Sequence, residues 1–176
     1  MNHDDHVRLI HEGVAGGGNA WADLGSGAGA FTLALADLLG PGGHIYSVDR
    51  DARALREQRE ALQAHFPTVT LEQRVADFTH PLDLPPLDGV VMANSLHFQR
   101  HKEPVLRLVR GMLNPGGRLV LVEYNADRGN PWVPFPLSFP TWERLAERTG
   151  FASTSLLETV PSRFLREIYS ALSLVG

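Results

Sequence analysis

Cysteine is absent from this 176-residue sequence, and lysine occurs once, at Lys102. The first absence excludes disulfides, thiolate metal sites and a cysteine nucleophile. The second leaves arginine to carry nearly all the positive charge. Nor does either sign of charge dominate: 16 basic against 20 acidic residues give −4. That balance argues against a nucleic-acid surface, because phosphate binding needs clustered positive charge. No stretch approaches a membrane span, and the opening "MNHDDHVRLIHEG" lacks the basic start and apolar run of a signal peptide. A soluble, cytoplasmic protein is expected.

What is present is ordinary for a globular chain: 43% apolar and 20% charged residues, enough for one domain over residues 1–176 with its own core. Eight histidines raise the question of a metal. His3 and His6, or His97 and His101, are spaced to share a helical face, but lack partners at zinc-like spacing. No metal is expected.

Along the chain, Val7, Ile10 and Val14 recur at helical spacing and predict a short N-terminal helix, broken by "AGGGNA" before residue 20. "AWADLG" reads as a buried strand, and "AFTLALADLLG" as a helix stopped by Gly40 and Pro41. "HIYSVD" is a strand; "DARALREQREALQAHF" is a helix that Asp51 can cap, with Leu55 and Leu62 on one side. "VTLEQRVAD" and the nearly continuous apolar run "LDGVVMANS" are further strands, the latter covered on both faces. "KEPVLRLVRGML" is a helix ended by the "NPGG" turn, with "GRLVLVEYN" as the next strand. A helix over "TWERLAERTGF" precedes "STSLLETVP" and "FLREIYSALSLV", two strands close enough to form an antiparallel pair.

Strands alternating with helices predict an α/β fold with a mostly parallel sheet and helices on both faces. Ligands of such sheets bind at the carboxyl ends of the strands. Those ends read "DLGSG", "VDRD", "VADF", "MANSLH" and "VEYN". At the first, Gly25, Gly27 and Gly29 would let a ligand lie against bare backbone, and the following helix offers free N–H groups. Taken alone, "GSGAGA" also fits the dinucleotide fingerprint G-x-G-x-x-A. Asp23 opposes that reading, since a carboxylate here repels a pyrophosphate and welcomes an ammonium group. The site suits an amino-acid moiety. Asp49 closes the next strand, where its carboxylate can accept both hydroxyls of a ribose, each bond worth roughly 1.5–3 kcal/mol. Asp77, followed by the flat ring of Phe78, is placed to hold the exocyclic amine of an adenine.

An amino acid, a ribose and an adenine compose S-adenosylmethionine. With "DLGSGAG", "VDRD", "ADF", "LDGVVMANSLHF" and "LNPGGRLVLVEY", the chain from about Trp21 onward resembles the class I S-adenosylmethionine-dependent methyltransferases of small-molecule type. The resemblance implies a Rossmann-like, doubly wound seven-stranded sheet of order 3-2-1-4-5-7-6 with an antiparallel C-terminal strand. It also implies that Asp23 lies near the methionine amine, that Gly25, Ser26 and Gly27 line its backbone, and that Asp49 holds the ribose with Arg50 flanking the adenine. Asp77 and Phe78 would contact adenine, and Asn94, with Ser95 as neighbour, would meet the methionine part.

Methyl transfer from a sulfonium needs no acid for the leaving group, and a base only when the nucleophile must shed a proton. "NSLH" departs from the Asn-Pro-Pro-aromatic pattern of methylases that act on nucleobases or glutamine. His97 resembles a histidine of small-molecule members and is read either as a base or as a residue that caps the following helix or packs over the cofactor. Glu123 and Tyr124 are weaker candidates. The stretch "NADRGNPWVPFPLSFP" is long for a connection, with Trp132, Phe135 and Phe139 giving it apolar mass. It either walls the pocket or packs on the core, and with the N-terminal helix it would make a small lid unless the site is open. The expected activity is methyl transfer to a small-molecule acceptor, with no membrane or nucleic-acid partner and self-association left open. The alternatives are a non-catalytic S-adenosylmethionine-binding partner or regulatory protein of the same fold, or an NAD(P)-dependent oxidoreductase, against which Asp23 stands.

Overall fold

Two apolar faces on one set of strands dictate the architecture. The computed structural model describes residues Met1 to Gly176. Its sheet runs β3-β2-β1-β4-β5-β7-β6, from β1 (Ala20–Leu24), β2 (His44–Asp49), β3 (Thr70–Val75), β4 (Leu87–Ala93), β5 (Leu113–Tyr124), β6 (Ser153–Ser162) and β7 (Arg166–Leu174). Strands β1 to β5 are parallel, while β7 pairs antiparallel with both β5 and β6. Alternate residues of the central strands feed opposite cores. Ala22, Leu24, Val90, Met92, Leu119 and Leu121 pack with helices α4 (Glu103–Met112) and α5 (Phe139–Arg148), around the fully buried Trp142. Trp21, Val91, Val120 and Val122 pack with α1 (His3–Val14) and α2 (Ala30–Leu39), joined by Leu62 of α3 (Ala52–His65). Gly89 belongs to that packing, since a Cβ there would run into the Trp21 ring.

Local chemistry sets the helix ends. Asp51 caps α3 by accepting from the N–H groups of Arg53 and Ala54, as the sequence predicts. Asn2 and Asp5 form a reciprocal capping box that starts α1.

One expectation needs correction, and one open alternative is narrowed. The "NPGG" segment does not separate α4 from β5. The strand begins at Leu113, opposite Leu87, and then leaves register, so that Arg118 is the partner of Gly89. Residues 114–117 form an excursion within the strand, and Gly116 N–H turns to the carbonyl of Val175. The N-terminal helix is not a lid either. Its Leu9, Ile10 and Val14 are buried against the sheet, and Arg118 donates to the carbonyls of Gly13 and Ala15 at its end. That apolar face is consumed by the core and has none left to close a mouth.

Candidate functional site

The parallel strands bring their carboxyl ends to one edge, and a cleft of about 160 Å³ opens there. Gly25, Asp49, Arg50, Ala76, Asp77, Phe78, Asn94, Ser95, Phe98 and Gln99 line it. Seven of these are residues singled out from the sequence; Ala76, Phe98 and Gln99 are additions. Of the other expected residues, Ser26 and Gly27 belong to the adjoining glycine loop, Asp23 lies beneath it and His97 lies behind Phe98.

The loop is fastened from below. Gly25 and Ser26 both donate backbone N–H groups to the carbonyl of Val48, and the hydroxyls of Ser26 and Ser47 are 2.7 Å apart. Gly25 has φ +77°, and a Cβ there would collide with Ser95 and press on the Phe78 ring. At Gly27 a Cβ would meet nothing within 4 Å, so the backbone is bare toward open space.

Asp49 accepts from the N–H groups of Gly27 (2.8 Å) and Asp51 (2.8 Å), which pins its carboxylate at the cleft rim. Asp77 accepts from both the N–H and the hydroxyl of Thr79 and faces Arg50 at 3.6 Å. Those bonds hold its carboxyl below the ordinary range, with Arg50 adding to the effect. Asp23 is the opposite case. It is 1% exposed, and burial pushes its pKa up to about 7, against the hydrogen bond from Thr32 and with some help from Asp49. Asn94 adopts φ +51°, and its buried Oδ1 has no hydrogen-bond partner. An unsatisfied acceptor in the wall of a cleft awaits a donor.

His97 is 3% exposed and Glu123 is fully buried. Glu123 accepts from the backbone N–H groups of His97 (2.9 Å) and Tyr124 (3.2 Å), and its Oε2 lies 2.9 Å from His97 Nδ1. The register of β4 and β5, with Ala93 opposite Val122, brings these residues together across 26 positions of sequence. With Nδ1–H directed at the carboxylate, Nε2 is the imidazole's free acceptor. The ring packs against Phe98 (4.3 Å) and edge-on to Tyr124 (5.7 Å), which in turn meets Phe164 (6.5 Å).

The segment between β5 and α5 divides the roles that its sequence left open. Val133 and Leu137 are buried, and Phe139 packs edge-on to Tyr169 in the core. Phe135 N–H donates to the carbonyl of His97, while Lys102 Nζ ties the carbonyls of Phe135 and Gln99 together. Trp132 is 72% exposed. The segment is therefore bound to the turn that carries His97.

No three His, Asp or Glu side chains converge as a metal site, and no helix is long and apolar enough to cross a membrane.

Comparison with known proteins agrees with this geometry. The chain is 27% identical over 166 residues to the highly reducing polyketide synthase aurA of Calcarisporium arbuscula, covering 80% of this chain and 7% of that one. It is 33% identical over 110 residues to the ubiquinone/menaquinone biosynthesis C-methyltransferase UbiE of Pseudomonas savastanoi, covering 61% of this chain and 43% of that one. The chain thus spans less than half the length of either relative. A crystal structure of a SAM-dependent methyltransferase from Aquifex aeolicus shares the fold, with a TM-score of 0.73 at 18% identity over 98% of this chain and 90% of that one. Residues 18–151 match the methyltransferase domain family. With the strand order, the glycine loop and this match together, the chain belongs to the class I S-adenosylmethionine-dependent methyltransferases.

Proposed function

We propose that the chain transfers a methyl group from S-adenosylmethionine to a small-molecule acceptor bound beside His97. The observation that carries this reading is the orphaned Oδ1 of Asn94 in the wall of a cleft whose rim bears Asp49 and Asp77. Asn94 Oδ1 lacks a donor, and the carboxylates of Asp49 and Asp77 keep lone pairs beyond those their present partners use. S-adenosylmethionine brings matching donors: an ammonium, two ribose hydroxyls and an exocyclic amine. Bound there, the cofactor supplies an electrophilic methyl on a sulfonium.

The residues then divide the work. Asp23 and Asn94 take the ammonium, and the bare backbone at Gly27 admits the methionyl chain. Asp49 accepts from the ribose. Asp77 accepts from the adenine, with Phe78 and Arg50 flanking the ring. Phe98 forms the apolar wall toward the acceptor and helps exclude water. Glu123 holds the His97 imidazole so that Nε2 receives the proton the acceptor gives up as its new bond to the methyl forms. One of the relatives named above is a ubiquinone/menaquinone biosynthesis C-methyltransferase, and a carbon acid is an acceptor that needs such a base.

The test is formation of S-adenosylhomocysteine by the purified protein with a panel of carbon, oxygen and nitrogen acceptors. Turnover with one class identifies the acceptor atom. Tight cofactor binding without turnover on any of them would favour a non-catalytic partner of the same fold. Asp49→Ala should weaken S-adenosylhomocysteine binding by about 10–100-fold, as expected for charge-assisted bonds to the ribose, with a modest loss of thermal stability because the N–H groups of Gly27 and Asp51 lose their acceptor. Calorimetry and a melting curve check this, and unchanged affinity would remove the ribose assignment.

A further inference from the structure

Asp23 does not stand alone beneath the glycine loop. Thr32 of α2 donates its hydroxyl to Asp23 Oδ2 at 2.6 Å, and Gln58 of α3 donates its amide to Thr32 Oγ1 at 2.9 Å. Gln73 of β3 donates to Gln58 Oε1 at 2.7 Å, and Arg59 Nε donates to Gln73 Oε1 at 2.8 Å. Each of these four bonds runs toward Asp23, while Gln73 Nε2 also donates to the carbonyl of Leu55 at 2.6 Å. This hydrogen-bonded chain begins at an exposed guanidinium and ends at a buried carboxylate, so each bond polarises the next in the same direction. Asp23, Thr32 and Gln58 are all buried. Gly29, at φ +92°, fits the same arrangement: a Cβ there would strike Gln58 Cγ. The third glycine of the loop makes room for Gln58 rather than for a ligand.

We propose that Thr32 and Gln58 are positioning residues for the cofactor's ammonium, holding the Asp23 carboxylate in one orientation with Oδ1 left to accept from the ligand. The inference rests on the reading of Asp23 given under the proposed function. Position 58 is otherwise an unusual place for a glutamine, since it shares the buried side of α3 with Leu55 and Leu62. The chain also acts on charge. Donation from Thr32 favours the ionised carboxylate against burial and against Asp49, the charged group of β2 that faces Asp23. Asn94, which follows β4 on the other side, is neutral, and so are Thr32 and Gln58. An ammonium binds the ionised form, so losing the Thr32 bond would move the onset of binding to higher pH.

Calorimetric titration with two ligands tests this: S-adenosylhomocysteine, which has the amino-acid moiety, and 5′-methylthioadenosine, which lacks it. In Thr32→Val and Gln58→Met, S-adenosylhomocysteine should bind about tenfold more weakly at pH 7, the scale of a weakened charge-assisted bond. The gap should narrow by pH 8.5, and 5′-methylthioadenosine should bind as it does to the unaltered protein. Thr32→Ser, which keeps the hydroxyl, should restore the affinity. Equal weakening of both ligands would make the chain a purely structural network and overturn the proposal, as would no change in either. Asp23→Asn separates the two levels. If it leaves S-adenosylhomocysteine binding intact, the reading of Asp23 fails. If it alone weakens that ligand while the Thr32 and Gln58 variants do not, only the positioning role fails.

Discussion

His97→Asn is expected to slow methyl transfer by about 10²–10⁴-fold, the usual contribution of a positioned general base, while S-adenosylhomocysteine affinity stays within about twofold. Asparagine is the informative replacement because its amide can still donate toward Glu123 where Nδ1 did. What it deletes is Nε2, the acceptor that the His97–Glu123 contact leaves free. The cleft-lining residues are untouched, so cofactor binding should survive. Glu123→Gln should cause much of the same loss by a different route. Glu123 accepts from two backbone N–H groups and the imidazole, and an amide would turn two hydrogens toward that cluster of donors. Initial rates of S-adenosylhomocysteine formation, beside calorimetry on the same preparations, decide the matter. Full activity in His97→Asn would make the imidazole a packing group under Phe98. Rate and cofactor affinity falling together would mean that it shapes the cleft instead of moving a proton.

Much of this arrangement is legible in the sequence where it depends on short-range chemistry. "HIYSVD" is bounded by turn residues and becomes β2 from His44 to Asp49. Asp51 is the α3 cap because an aspartate preceding an apolar helical period can accept from the first free N–H groups. The acidic strand ends are visible for a similar reason: a carboxylate that closes an apolar strand marks the mouth of the sheet, although Asp23 and Glu123 prove to be buried there. What could not be read depends on distant neighbours. Gln58 looks like part of a solvated face until α2 and β3 close over it, although its spacing from Leu55 and Leu62 places it on the apolar stripe. Gly29 looks like a ligand-binding glycine, and only tertiary packing reveals the side chain it accommodates. Glu123 ends the apolar run of β5, but pairing with His97 requires the register with β4. The α1 helix reads as a free amphipathic segment until the face formed by Trp21, Val120 and Val122 is seen to need a cover.

Asp23→Asn is expected to make the ligand-free domain more stable at pH 8, by up to about 4 kcal/mol, while weakening its preference for ligands with an ammonium group. The size follows from burial, which lifts the carboxyl from its ordinary 3.8 to about 7. Between those values the folded state keeps a proton that the unfolded state has released. This residue's contribution therefore falls as pH rises through that window, and the full cost is present above about 7. Asparagine has no charge to bury at any pH, so the variant should lose that slope. His6 works in the opposite sense. Burial lowers its pKa, so its contribution to stability is lost as pH falls below its ordinary 6.5. Because His6 is the same in both proteins, the difference between their curves isolates Asp23. The lowered carboxyls of Glu72, Asp77 and Asp127 act only below about pH 5. Urea unfolding of both proteins from pH 5 to 8 measures the effect, and the curves should converge toward pH 5. Parallel curves would mean that the ionised carboxylate costs the ligand-free protein nothing, and that an arriving ammonium relieves no buried charge. Diverging curves would identify Asp23 as a group retained at the expense of stability because an ionised carboxylate is what the ligand needs.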